Sequence, residues 1–500
     1  MALTLKTPGV YIQEKNAFPS SIVQVATAVP AFIGYTEKAE RGGKTLLLKP
    51  TRITSLAEYV QYFGGDFRAR FTVNKSNAND PEAFILNGNY YAVTRSANNT
   101  ALFFNSIRLF FENGGGSAYI VSAGTYGGSD TITPQKSDFD AALTSLIKEY
   151  EPTLLVAPEA VLLEEADAYS FYQAMVAQCA RLQSRIAILD VYNGTVGRSY
   201  DEADVIDRFR GGIGINALNY ATAYFPFVQT TIVQANELDY RNFENLGVLE
   251  STLVEDVAQE LLGDLKKAAD GDDEQKRLLN QALLATSPTF KALLGEVRRQ
   301  LNVLPPSAAM AGVYAMVDST RGVWKAPANV SLSSVIAPVV GLNNDEQEDL
   351  NVDGRTGKSI NVIRSFPGAG VIVWGARTLD GNSQDWRYLN VRRTLIMIEQ
   401  SVKNAAKTYV FEPNDGGTWF SVRSMIENYL NNLWKEGALV GVAPSDAYQV
   451  SIGLGSTMTP NDVLEGIMRI TVKVAISRPA EFIVITFQQK VQESAAAAAE

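Results

Sequence analysis

LLVAPEAVLLEEADAYSFYQAMVAQCARLQSRIAILD, residues 154–190, carries the clearest structural pattern of the 500-residue chain. Two short apolar runs, 154–157 and 186–190, each end in a turn, which is typical of parallel strands buried on both faces. Residues 168–182 form an amphipathic helix between them. A strand–helix–strand unit of this kind predicts an α/β fold, with a mostly parallel sheet covered by helices.

The same alternation of strands and helices extends to both sides of that unit. Its members are a β-rich apolar stretch at 22–35, a helix with a Ser/Thr cap at 54–59, a helix at 107–112, a strand at 118–121, and a helical stripe of Phe139, Leu143, Leu146 and Ile147. The pattern returns after Pro305 and Pro306 and runs to about residue 380. We therefore predict a central α/β domain made of 21–65 and 101–235, which resumes at 303–384.

Two segments interrupt this pattern. Residues 66–100 are rich in Asn and aromatic residues and have little periodicity, so they are interpreted as an insertion or a long loop. Residues 236–302 read as a helical insertion, because apolar residues recur at helical spacing on charged segments. Its two stripes are Val257, Leu261 and Leu265, followed by Phe290, Leu294, Val297 and Leu301.

The last unit, 385–479, is predicted to be a C-terminal α+β domain with long helices at 391–407 and 418–436. In residues 469–476 (RITVKVAI) every second side chain is apolar, so one face of this strand is buried and the other is wet. Residues 482–487 (FIVITF) are apolar on both faces and need partners. Residues 1–20 hold another short strand, which must pair with a sheet edge of its own chain or of another.

Composition excludes several classes of function. The chain contains no His, so it cannot hold a Ser-His-Asp triad, a Cys-His pair or a His-ligated metal. Its one cysteine, Cys179, can form neither an intramolecular disulfide nor a thiolate cluster. A formal charge of −10 argues against a protein that coats nucleic acid. We expect no secretion signal, no membrane-spanning segment, no metal, no cofactor and no catalytic residue.

One loop comes close to a nucleotide or metal motif. Residues 352–359 (VDGRTGKS) end like a P-loop, but Val352 replaces the first glycine and no apolar strand precedes them. The same stretch begins like a calcium loop and has Ile360 where a bidentate Glu belongs. A solvated loop is favoured. Two alternatives stay open: an α/β hydrolase with a His-free active site, and a nucleotide-driven contractile protein that uses Lys358.

Several stretches closely resemble the tail sheath protein family of contractile phages and bacterial contractile injection systems. In the family's order they are 7–11 (TPGVY), 28–34 (AVPAFIG), 303–329 (VLPPSAAMAGVYAMVDSTRGVWKAPAN), 361–370 (NVIRSFPGAG), 373–378 (VWGART), 390–393 (NVRR), 410–415 (VFEPND) and 478–484 (RPAEFIV). They span the chain outside 66–100 and 236–302. The two segments without a match would be decorations of the outer surface.

The resemblance implies a non-enzymatic structural subunit. Such subunits stack as hexameric rings around an inner tube and contract, when triggered at the baseplate, to drive the tube through a target envelope. The implied partners are other copies of the chain, the inner tube, and baseplate and terminal cap proteins, with no direct contact to nucleic acid and no stable membrane insertion. The implied place of assembly is the bacterial cytoplasm, in a phage tail or a phage tail-like particle, including one released outside the cell.

The resemblance also implies a subtilisin-like central domain and arms, at 1–20 and 480–500, that complete the C-terminal sheet of neighbouring subunits. The end of the second arm is Ala-rich and expected to be disordered. Candidate strand-exchange residues are Leu3, Leu5, Val10, Tyr11, Ile12, Ile470, Val472, Val474, Phe482, Val484, Ile485 and Phe487. Candidate inner-tube contacts on helix 418–436 are Arg423, Glu427, Lys435 and Glu436. That these four charges only solvate a surface helix is an equally open interpretation.

Overall fold

The computed structural model of the chain describes residues 21–80, 82–268 and 272–484. The strands in these ranges are β1 (Pro30–Thr36), β2 (Glu40–Arg41), β3 (Lys44–Thr45), β4 (Thr51–Ile53), β5 (Phe71–Lys75), β6 (Ala83–Leu86), β7 (Asn89–Arg95), β8 (Ala118–Thr125), β9 (Leu154–Val156), β10 (Ile186–Asp190), β11 (Ala221–Phe225), β12 (Val228–Thr230), β13 (Val303–Leu304), β14 (Val330–Ser331), β15 (Val335–Pro338), β16 (Asn361–Phe366), β17 (Gly370–Trp374), β18 (Tyr448–Ser451) and β19 (Thr471–Val474). The α-helices are α1 (Leu56–Phe63), α2 (Phe103–Glu112), α3 (Lys136–Ser145), α4 (Glu165–Leu182), α5 (Val205–Gly212), α6 (Leu246–Thr252), α7 (Asp256–Lys267), α8 (Asp273–Thr286), α9 (Pro288–Leu301), α10 (Ser307–Arg321), α11 (Asn344–Asn351), α12 (Leu389–Ala406), α13 (Gly416–Lys435), α14 (Pro444–Ala447) and α15 (Pro460–Leu464).

The central sheet has nine strands in the order β14-β17-β16-β11-β10-β9-β1-β8-β4. Neighbours from β16 to β8 run parallel, whereas the pairs at the two edges, β16–β17, β17–β14 and β8–β4, are antiparallel. Strands β1, β9 and β10 are buried along their whole length. The predicted α/β class is confirmed. The sheet is mixed because antiparallel strands extend both of its edges.

Helix α4 lies where the sequence predicts it, between β9 and β10. Leu154 pairs with Ile186, and Val156 pairs with Ile188, in parallel register. Parallel neighbours need such a crossover because a hairpin cannot join them. Cys179 is buried on α4, and burial raises the pKa of its thiol to about 12. It therefore acts as a packing residue.

Helices α2 and α10 approach each other closely at Gly312. A Cβ atom added at this position would lie 2.5 Å from the carbonyl oxygen of Phe110. Two residues further along and on the opposite side of α10, the hydroxyl of Tyr314 lies 2.6 Å from that of Tyr224 on β11. Position 312 therefore needs glycine, because a side chain there would keep α10 from packing against both α2 and the sheet.

The two interrupting segments fold together around a second hydrophobic core. Segment 66–100 contains β5, β6 and β7, which pair antiparallel in the order β5-β7-β6. Phe71 and Tyr91 of this sheet pack in one cluster with Phe243 and Phe290 of the helical segment. The interpretation of 66–100 as a long loop is wrong, because short strands separated by polar turns give little alternation for a sequence pattern to reveal.

The helical segment contains α6 to α9. The stripe predicted at 290–301 is largely buried on α9. The stripe predicted on α7 is shifted by one residue at its first two positions and correct at the third, Leu265. Val257 is 53% exposed, and the buried side chains of α7 are Ala258, Leu262 and Leu265.

A third hydrophobic core lies between α12, α13 and the strands β18 and β19. It includes Met397 from α12, Ile426 and Leu430 from α13, and Val450 from β18. Ile22, near the start of the described residues, is buried in the same core. The helices predicted at 391–407 and 418–436 match α12 and α13 to within two residues at each end. The predicted strand-exchange residues Ile470, Val472 and Val474 pack against this third core.

Candidate assembly edge and chain exits

Strands β18 and β19 form a two-stranded antiparallel sheet. The Ala475 N–H donates to the Ala447 carbonyl oxygen at 2.9 Å. Because successive N–H groups of a strand alternate in direction, the next set points away from β18: those of Val472, Val474 and Ile476. No strand in the described ranges pairs with that side. We call these three residues the β19 edge, a row of backbone groups open to another strand.

The side chains of this strand alternate as its sequence predicts. Ile470, Val472 and Val474 are half-buried against the third core, whereas Thr471 and Lys473 are exposed. A two-stranded sheet is marginal by itself and leaves such a face incompletely covered. The predicted exchange residues Ile470, Val472 and Val474 thus lie together on one strand, and their role in exchange stays a prediction.

The residues that follow β19 expose an apolar run. Phe482, Ile483 and Val484 are 70%, 78% and 89% exposed. A soluble chain rarely exposes three consecutive large apolar side chains unless another surface covers them. The other predicted exchange residues lie outside the described ranges, and they are Leu3, Leu5, Val10, Tyr11, Ile12, Ile485 and Phe487.

Just before this run, Glu481 is held by the central domain. Arg377 donates from Nε and Nη2 to the two carboxylate oxygens of Glu481, at 2.9 and 2.6 Å. Asn351 Nδ2 and the Tyr388 hydroxyl also donate to this carboxylate, at 3.0 and 3.3 Å. Burial alone would raise the pKa of Glu481, but the hydrogen bonds from Arg377 and Asn351 hold that pKa below its usual value. The carboxylate is therefore ionised and fixed at neutral pH.

The start of the described chain is held in a comparable way. Arg393 on α12 donates from Nη1 and Nη2 to the carboxylate of Asp318 on α10, at 2.9 and 2.5 Å. The Thr27 hydroxyl donates to Asp318 at 2.6 Å, and the Thr27 carbonyl accepts from Arg393 at 3.0 Å. Both charged side chains are buried. This cluster joins the residues before β1 to the central and C-terminal domains at once.

Sequence reasoning did not find either cluster, because its partners are far apart in the chain. A signal existed, since Asp318, Arg377, Arg393 and Glu481 all lie in stretches that carry the family resemblance. The sequence offered no way to tell that these charges pair with one another.

The four predicted tube-contact residues do not share one face of α13. Arg423 and Glu427 form an ion pair at 2.8 Å, and both line a groove of about 570 Å³ beside β18. Lys435 lies about 18 Å further along the helix axis and roughly 120° around it from Arg423. Glu436 follows the last helical residue. A contact to a tube through all four together is not favoured by this arrangement, and each remains a prediction.

The loop that resembles a P-loop is closed by its own side chains. Asp353 accepts hydrogen bonds from the backbone N–H groups of Arg355 and Thr356, at 2.9 and 3.0 Å. Lys358 is buried, and its Nζ donates to the carbonyl oxygen of Arg210. The amides and the lysine that would hold phosphates in a P-loop are therefore used within the chain. Within the described residues no cluster of acidic or cysteine side chains could hold a metal ion.

No helix within the described ranges is long and apolar enough to cross a bilayer. Comparison with known families matches residues 272–379 to the phage tail sheath protein central domain. Residues 382–490 match the phage tail sheath C-terminal domain. These two ranges contain the β19 edge and all four charged residues of the two clusters described above, Asp318, Arg377, Arg393 and Glu481.

Curated relatives and solved structures agree with these matches. The chain is 27% identical to the tail sheath protein of Vibrio phage KVP40 over 41% of this chain and 30% of that protein. It is 30% identical to the tail sheath protein of Burkholderia phage BcepMu over 27% of this chain and 29% of that protein. The alignments thus span about a third or less of these relatives.

Structural similarity extends along almost the whole chain. The sheath of an extracellular contractile injection system, PVC, in its contracted state superposes with a TM-score of 0.60 and 27% identity, over 98% of this chain and 99% of that one. The contracted helical sheath of the anti-feeding prophage superposes with a TM-score of 0.61 and 28% identity, over 97% and 100%. Taken with the curated relatives and the structural similarity, the matched models show that residues 272–379 and 382–490 are tail sheath protein domains.

Proposed function

We propose that this chain is the structural sheath subunit of a contractile injection machine. One observation carries the proposal: an open β19 edge is followed in the same chain by an exposed apolar run, 482–484. A strand from another copy can add to such an edge through backbone hydrogen bonds. The apolar side chains it brings would cover the half-buried face of the third core. Each copy therefore both needs a strand and has one to give.

Repeated strand exchange produces a connected mesh of subunits. The relatives support this arrangement, because one of them is described as a helical sheath and another as a baseplate assembly. By analogy, copies of this chain stack as hexameric rings around an inner tube, between a baseplate and a terminal cap. Contraction then releases a metastable extended array into a state that buries more surface, so it needs no chemical fuel.

One of these relatives is described as part of an extracellular contractile injection system, which supports a place of action in a tail-like particle. The chain assembles in the bacterial cytoplasm and becomes part of a phage tail or a phage tail-like particle, including one that acts outside the cell. Its central domain would share the subtilisin architecture without that enzyme's chemistry, since the chain has no His. The function is mechanical, and no catalytic step is assigned to any residue.

The test is polymerisation of the purified full-length chain, followed by negative-stain microscopy. We expect long tubes from the full chain. Deletion of residues 1–15, or truncation after Pro479, should leave folded subunits that form no tubes. Truncation after Gln492 is the matched control, because it removes only the Ala-rich end and should leave tubes intact. Normal tubes from either the chain lacking residues 1–15 or the chain truncated after Pro479 would contradict strand exchange.

A further inference from the structure

The connection to the C-terminal strand begins at Glu481, whose partner Arg377 is fixed to the central sheet. Arg377, whose side chain is 3% exposed, is itself held at both backbone groups: its N–H donates to Asn361 Oδ1 at 2.7 Å, and its carbonyl accepts from Thr222 Oγ1 at 2.9 Å. Thr222 lies on β11 and Asn361 begins β16, two neighbouring parallel strands. Arg377 is thus tied to the interior of the central sheet.

The contact between Arg377 and Glu481 also sets a direction. A guanidinium that donates two parallel hydrogen bonds to a carboxylate fixes the plane of that carboxylate as well as its position. Asn351 and Tyr388 add two further donors to the same group. One residue later the chain is exposed. The boundary between the rigid body and the exposed run therefore falls between Glu481 and Phe482.

We propose that Glu481 is the mechanical anchor of the copy-to-copy connection: tension on the C-terminal strand passes through Arg377 into β11 and β16. This inference rests on the proposed function. The cluster of Thr27, Arg393 and Asp318 does the same for the N-terminal connection. Without the anchor, tension would reach the short β18–β19 ladder, which can open one hydrogen bond at a time from its end.

The test compares two substitutions of the same type. Glu481→Gln keeps the shape of the side chain and removes its charge at the anchor. Glu237→Gln is the matched control, because Glu237 accepts a similar pair of hydrogen bonds from Arg108, at 2.8 Å each, and belongs to neither of the two clusters. Tubes assembled from wild-type and variant chains are sheared under identical conditions, and their lengths are measured by negative-stain microscopy. Hydrogen exchange of residues 478–484 is measured in the unassembled chains.

We expect Glu481→Gln tubes to break into much shorter pieces than wild-type tubes, and Glu237→Gln tubes to keep wild-type lengths. In free Glu481→Gln chains, exchange at 478–484 should be faster by about tenfold, with the rest of the chain unchanged. If that variant forms no tubes, Arg377→Lys, which keeps the charge but loses the two-pronged contact, is sheared in its place and should also break.

The outcomes separate this inference from the proposed function. Wild-type chains that form no tubes would remove the proposed function and the anchor with it. Wild-type tubes combined with unchanged breakage of Glu481→Gln tubes would refute the anchor alone. Equal breakage of Glu237→Gln tubes would also refute it, because loss of any ion pair would then weaken the assembly.

Discussion

The β19 edge makes a quantitative prediction for Val472→Pro. The N–H of Val472 points away from β18, so proline at this position leaves the β18–β19 ladder intact, as on natural edge strands. It removes one of three outward donors, and its ring crowds an incoming strand. A hydrogen bond between strands contributes ~0.5–1.5 kcal/mol, so the loss with crowding is roughly 2 kcal/mol. Because 1.4 kcal/mol is tenfold, the critical concentration for polymerisation should rise about thirtyfold.

The assay is sedimentation of polymer across a concentration series, with thermal unfolding of the free chain measured in parallel. Ile85→Pro is the matched control. Ile85 lies on the edge strand β6 of the second core's sheet and pairs with Tyr90 of β7. The next pair, Leu86 and Asn89, closes the hairpin with hydrogen bonds, so the N–H of Ile85 points outward, as that of Val472 does. Val472→Pro should raise the critical concentration and Ile85→Pro should not, while both keep unfolding temperatures near that of the wild type. An unchanged critical concentration for Val472→Pro would refute the assignment of this edge to assembly.

Three further predictions concern stability. Gly312→Ala should destabilise the chain, because the added Cβ would lie 2.5 Å from the carbonyl oxygen of Phe110. The control Gly295→Ala, where α9 leaves open space, should raise the free energy of unfolding in urea by about 0.5–1 kcal/mol. Equal effects of the two substitutions would contradict the packing of α2 on α10. Phe290→Ala should cost about 3–5 kcal/mol in the second core and still allow tubes, and loss of tubes would show that this core takes part in assembly. Burial raises the pKa of Glu159 to about 7, above its unfolded value near 4.5. The free energy of unfolding of the wild type should therefore fall by up to roughly 3 kcal/mol as pH rises between these two values, and Glu159→Gln should flatten that slope. Parallel slopes for the two chains would show that Glu159 does not titrate there.

The central sheet could be predicted from sequence because its signals are local. Runs such as 154–157 and 186–190 combine apolar residues with a helix of the right length between them, and both become neighbouring buried strands. The alternation at 469–476 is also local, and it correctly predicts which side chains of β19 face the third core. Patterns of this kind need no knowledge of distant partners.

The rest depends on contacts between distant parts of the chain. Nothing in 66–100 indicates that Phe71 packs with Phe243 and Phe290, since only the folded chain joins the two interrupting segments. In the same way, Glu481 reads as one more solvated charge until the fold brings Arg377 to it. The tube-contact prediction grouped charged residues because they lie on α13, without considering which face of the helix carries each one. It therefore combined Arg423 with Lys435, which point in different directions.

The anchor also explains why the described run at 482–484 does not pair with the β19 edge of its own copy. To cover its own edge, the run at 482–484 would have to turn back at residues 478–481 as a hairpin. That turn is not free to form, because Glu481 is held by Arg377 and Arg478 donates to the Gln384 carbonyl at 2.9 Å. The contacts that tie the chain down at this point therefore keep the donated strand and the accepting edge apart. Under the proposed function, the run at 482–484 adds to another copy, because pairing with its own edge would first have to break the ion pair between the buried Arg377 and the half-buried Glu481.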